Sequence, residues 1–85
     1  MTNNAVSQVN EFIKDSEISI YPNPSNDGNF FIQTDDRIIS WTIYNMLGQL
    51  ILSGKDNTIQ LQKKNFYILS IETNRGRQTR KIIYQ

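Results

Sequence analysis

The chain has 85 residues, 38% of them hydrophobic and 11% aromatic, with a formal net charge of +1, no cysteine and no histidine. That is enough for one small domain, able to bury roughly 60–70% of its unfolded surface. The missing residues exclude disulfides, thiolate metal sites and cysteine nucleophiles. Without histidine, the usual base near neutral pH, hydrolytic or metal-assisted chemistry is not expected.

Residues 1–17 read as a leader or linker, rich in Asn, Ser and Gln. Val6, Val9, Phe12 and Ile13 stand at helical spacing, which allows a short amphipathic turn. The segment lacks the charged and apolar regions of a signal peptide, so export would require a longer parent chain or another mark. No apolar run reaches the roughly 18 residues of a membrane span.

From Ile18 onward short β-forming runs alternate with turn residues, which predicts an all-β domain over residues 18–85. Ile18 and Ile20 alternate with polar neighbours, as do Phe30 and Ile32, although Phe31 breaks the second pattern. In "IISWTIYN", Ile39, Trp41 and Ile43 are expected on one face, with Ser40, Thr42 and Tyr44 on the other. "QLILS" is apolar on both sides and its facing stays open, "TIQL" offers Ile59 and Leu61, and "FYILSIET" puts Tyr67, Leu69 and Ile71 on one face. "RQTRKIIYQ" closes the series at seven strands, each a few residues long, as in a β-sandwich or small barrel.

The turns carry their own chemistry. Pro22 and Pro24 in "YPNPSNDG" fix two φ angles and withdraw two backbone donors, so the chain there has to leave its ladder. Gly48 in "NMLG" is expected at positive φ, and Gly76 in "NRG" at the left-handed position of a three-residue hairpin loop. Asn65 in "KKNFY" is the non-glycine residue type that best accepts a left-handed conformation. "NPSNDG" overlays a calcium loop poorly, because its twelfth position is Thr34 rather than a bidentate glutamate and Pro24 lies inside it.

Charge is unevenly placed. Residues 1–36 hold six acids against Lys14, and residues 73–85 hold Arg75, Arg77, Arg80 and Lys81 with no acid. One reading is pairing of the last strand with a nearby acidic surface; the sharper one is a docking strip for an acidic partner or for lipopolysaccharide phosphates. Nucleic acid is not an expected partner, since that needs a larger basic excess.

Taken in order, "ISIYPNPSNDGNFFI", "WTIYNMLGQLIL" and "NFYILSIETNRGRQTRKIIYQ" resemble the type A C-terminal sorting domain of type IX secretion cargo. The matching positions are Tyr21, Pro22, Asn23 and Pro24; Gly28; Tyr44, Asn45, Gly48 and Gln49; Tyr67; Gly76; and Lys81. The chain departs from the pattern at Asn65, where glycine is usual, and at Trp41, where a smaller aliphatic residue is usual and which suggests an altered core or an exposed aromatic.

The resemblance implies an immunoglobulin-like β-sandwich of about seven short antiparallel strands. It also implies a non-catalytic signal fused C-terminally to a cargo protein, with no cofactor. Such cargo passes the periplasm and is directed through an outer-membrane translocon, handled by a shuttle protein and a sortase that removes the domain. The product ends at the cell surface or in the medium, and cleavage would fall within residues 1–17. Candidate recognition residues are Tyr21, Pro22, Asn23, Pro24, Gly28, Gly48, Asn65, Tyr67, Gly76, Arg80 and Lys81. The last strand is the first candidate for an edge open to strand addition, in a partner or in a weak strand-paired dimer. The alternative is a carbohydrate-binding or adhesive immunoglobulin-like module, with Trp41, Tyr44, Tyr67 and Tyr84 as a sugar platform; Trp41 and Tyr67 are expected inward instead.

Overall fold

Period-two alternation puts one face of each apolar run inward, and in the computed structural model, which describes residues 18–85, all seven runs are strands. They are β1 Ser19–Tyr21, β2 Asn29–Gln33, β3 Ile38–Asn45, β4 Leu50–Gly54, β5 Thr58–Gln60, β6 Asn65–Thr73 and β7 Gly76–Tyr84. The described residues form two antiparallel sheets, three-stranded β1-β2-β5 and four-stranded β4-β3-β6-β7, which together make the expected all-β sandwich. The leader, its helical spacing and the cleavage region lie outside the described residues.

The core lies between the sheets. Ile18, Phe30, Ile32, Ile59 and Leu61 face Trp41, Ile43, Tyr67, Leu69, Ile71 and Ile82. Removing a Val-to-Phe-sized side chain from water stabilises the fold by about 1.5–3 kcal/mol, so these positions supply most of the driving force. Phe31 breaks the alternation for a local reason: on the outer face of its sheet its ring lies 5.8 Å from that of its cross-strand partner Tyr21.

Three expectations need correction. Ile39, expected on the inner face with Trp41 and Ile43, is 42% exposed. The pairing of β3 with β6 jumps from Ile38↔Thr73 to Ser40↔Glu72, so Ile39 is the extra residue of a bulge and Ile38 packs on the core in its place. The "NRG" loop contains two residues, Asn74 and Arg75, because Gly76 already pairs with Thr73 as the first residue of β7, at φ 126°. Asn65 is not a turn residue either; it opens β6 opposite Tyr84, and its side-chain oxygen accepts the Phe66 N–H at 2.8 Å.

Trp41 belongs to an altered core. Its cross-strand partner is Gly54, and a Cβ there would stand 2.5 Å from the indole ring, so the absent side chain makes the room that the large ring fills. The indole N–H, which burial would otherwise strand, donates to the Asp56 carbonyl at 2.7 Å.

Candidate recognition surface

After Tyr21 the chain leaves the three-stranded sheet, as the two prolines require, and crosses to the edge of the other sheet. The Tyr21–Pro22 and Asn23–Pro24 peptide bonds are both cis. The Asn23 side chain then meets the outer edge of β7. Its Nδ2 donates to the Lys81 carbonyl at 2.9 Å, and its Oδ1 accepts the Ile83 N–H at 3.0 Å. One primary amide thereby does the work of a peptide unit in a neighbouring strand.

Ser25 continues the contact with its backbone. Its N–H donates to the Ile83 carbonyl at 2.8 Å and its carbonyl accepts the Gln85 N–H at 2.9 Å, forming a parallel bridge to Tyr84. Ser25 is fully buried, and its hydroxyl accepts the Gly28 N–H at 3.1 Å and lies 2.9 Å from the Asn29 carbonyl. That hydroxyl is used to hold the corner, not presented as a nucleophile. The Asn29 N–H beside Asp27, helped by the Asn29 side chain and the Ser25 hydroxyl, holds the Asp27 carboxyl below its ordinary value of 3.8.

Gly28 is where three elements converge. At φ 85° it occupies the region that disfavours any side chain, and a Cβ would collide with the Leu61 carbonyl oxygen and stand 2.9 Å from the Tyr84 ring. Its own carbonyl accepts the Leu61 N–H at 2.8 Å, which ties the corner to the end of β5 as well.

The corner and the tail strand, which sequence reasoning treated as two separate marks, are thus one hydrogen-bonded unit. Tyr21, Pro22, Asn23 and Pro24 are exposed on it, whereas Gly28 is buried beneath. β7 is the edge of its sheet, as expected, but its C-terminal half is already covered by the corner. By alternation the outward backbone groups beyond the corner are those of Arg77 and Thr79 and the Lys81 N–H, the Lys81 carbonyl being taken by Asn23 and the Thr79 carbonyl met by Arg80, and no strand lies beside them among the described residues.

The basic side chains of the tail are largely engaged. Arg77 pairs with Glu72 at 3.2 Å and Arg75 with Asp36 at 3.8 Å. Arg80 donates to Gln78 and to the Thr79 carbonyl, and the Lys81 ammonium stands 5.4 Å from the centre of the Phe66 ring. Arg80 and Lys81 point to opposite faces of the strand, so they do not form one patch.

The remaining candidates lie elsewhere. Gly48, at φ 84°, closes the β3–β4 turn at the surface and Gly76 opens β7 at the far end. Tyr67 is 4% exposed, so a partner cannot contact it directly. Its hydroxyl donates to the Lys63 carbonyl at 2.6 Å, and burial, with Tyr84 nearby, pushes it above its ordinary value of 10.0. With Trp41 at 3% exposure too, the sugar platform drawn from these aromatic residues is not assembled.

Two packed antiparallel sheets and an edge strand clamped by a proline corner define a small β-sandwich. The profile of the secretion system C-terminal sorting domain matches residues 19–85, and the chain belongs to that family. It is a type IX secretion signal, of a family that serves as a non-catalytic targeting signal toward the outer membrane and cell surface. No curated protein matches the chain.

Proposed function

We propose that residues 18–85 are the address by which a cargo fused at the N-terminal side is taken from the periplasm through the type IX outer-membrane translocon. A shuttle protein and a sortase recognise the folded domain, and the sortase removes it by cleavage within residues 1–17. The observation that carries this reading is the clamp of Asn23 and Ser25 on β7, which turns two sequence marks into one rigid surface. A surface fixed before encounter loses little conformational entropy on binding and reads the same whatever cargo precedes it. Tyr21, Pro22, Asn23, Pro24 and Lys81 supply the contact groups, Gly28, Tyr67 and Asn65 hold them in place, and the outward edge at Arg77–Lys81 accepts a partner strand.

A periplasmic reporter carrying residues 1–85 tests this in a host with a working translocon. The reporter should reach the cell surface or the medium, and retention in the periplasm would refute the proposal.

A further inference from the structure

The β3–β4 turn is a second feature of the surface that neither the core nor the corner explains. Met46 and Leu47 are 54% and 84% exposed at its tip, with Leu50 at 63% just beyond and Phe66 at 47% beside it. The pairing Asn45↔Tyr67 puts Phe66 one step further along β6, against the base of the turn. Four large apolar side chains at one end of a small domain are costly to leave in water, and grouped exposure of this kind marks an interaction site.

The tip is held rigidly. Asn45 accepts the Leu47 and Gln49 N–H groups on its side-chain oxygen, both at 2.9 Å, and its Nδ2 donates to the Gln49 side chain at 2.7 Å. Backbone bonds from Gly48 to Asn45 and from Asn45 to Gln49, both 3.0 Å, close the same loop. A turn built only for chain reversal has no need of leucine at its apex; Gly, Asn or Asp would serve better.

Lysine predominates around the tip. Lys63 and Lys64 are exposed immediately before β6, and Lys81 reaches over Phe66. Asp35, Asp36, Asp56 and Glu72 lie toward the opposite end, which leaves Asp27 of the corner, bonded to the Asn29 N–H, as the acid nearest this end among the described residues.

We infer that Met46, Leu47, Leu50 and Phe66 form a preorganised apolar key that inserts into an apolar pocket of a partner protein whose rim carries carboxylates facing Lys63, Lys64 and Lys81. A protein fits better than a lipid surface because a fixed tip of two side chains suits a shaped pocket, and three lysines give only weak attraction to anionic headgroups. The inference rests on the sorting reading and names the chemistry of the surface that reads it.

The test uses the same reporter fused to residues 1–85. Leu47→Asp should cut surface delivery by about tenfold or more, as loss of a central anchor does. The paired change of Lys63→Glu with Lys64→Glu should reduce delivery less. Ile39→Asp, at a less exposed apolar position (42%) at the other end, should deliver within about twofold of the parent, the spread expected of a residue outside the contact. Urea unfolding of the purified chain should give the same midpoint for Leu47→Asp and the parent. Normal delivery of Leu47→Asp, or equal loss with Ile39→Asp, overturns the inference and leaves the sorting reading standing. Failure of the parent fusion removes both. Leu47-dependent sedimentation of the chain with phosphatidylglycerol–phosphatidylcholine vesicles would assign the tip to lipid and also overturn it.

Discussion

The two long sides of the sandwich are closed by different physics. On the β1/β7 side, Asn23 and Ser25 bond directly to β7, and Gly28 brings in Leu61 and Tyr84. On the β4/β5 side no backbone bond joins the two edges among the described residues, and a groove of about 320 Å³ runs past Ile51, Leu52, Leu61 and Tyr67. There the closure comes from core side chains packed between the sheets, with the Trp41 indole, seated over Gly54 in its own sheet, donating one hydrogen bond to the Asp56 carbonyl in the β4–β5 connection. Directional bonds fix a shape; packing against an open groove tolerates adjustment. The side that carries the double-proline corner is the one held by directional bonds, which is what a fixed address needs.

The sharpest way to break the clamped side is Gly28→Ala. The substitution adds strain at φ 85° and a clash with backbone, which cannot swing away as a side-chain tip can. Together these cost about 3 kcal/mol. Urea unfolding should show that loss, and a change below about 1 kcal/mol, the range of an ordinary surface substitution, would mean that the convergence at Gly28 is not rigid.

Gly54→Ala is the matching change on the packed side. Its Cβ would press on the Trp41 ring, but β4 is an edge strand next to a groove and can shift outward. The expected cost is about 1–2 kcal/mol, with a red-shifted Trp41 emission as the ring moves toward water. A loss as large as that of Gly28→Ala would erase the distinction between the two sides.

Asn23→Ala removes two hydrogen bonds from an exposed position, where water can replace them. Stability should fall by about 1 kcal/mol. The more specific readout is hydrogen exchange: the Ile83 amide should exchange faster, while that of Leu69, deep in β6, should not change. If Ile83 stays protected, the clamp does not depend on the side chain.

This difference also separates what the sequence discloses from what it does not. Strands are legible because alternation is local, so Phe30 and Ile32, or Tyr67, Leu69 and Ile71, declare their face within five residues. A bulge hides the facing of Ile39 because the extra residue shows only against its partner strand. Trp41 looked anomalous until Gly54, its partner across the ladder, accounted for the space. Asn23 stands between two prolines, yet its partners lie 58 and 60 residues away, where no local pattern reaches. The apolar tip at Met46 and Leu47 was visible as letters in "NMLG", but only the structure shows that the core does not claim them.

The smallest effect concerns acid. Hydrogen bonds that exist only in the fold keep the Asp27 carboxyl below its ordinary 3.8, so its contribution is present above that value and is lost as pH falls through the lower, folded value. Because Asp27 is fully exposed, the change in global stability should be slight. A carboxyl carbon NMR titration should place its midpoint below 3.8, with the Asn29 amide shifting at the same midpoint. A midpoint at or above the ordinary value would show that the Asn29 bond does not form in solution. As Asp27 protonates, exchange at Ile83 and Gln85 should rise while Trp41 emission holds, because acid loosens the hydrogen-bonded side and leaves the packed side intact.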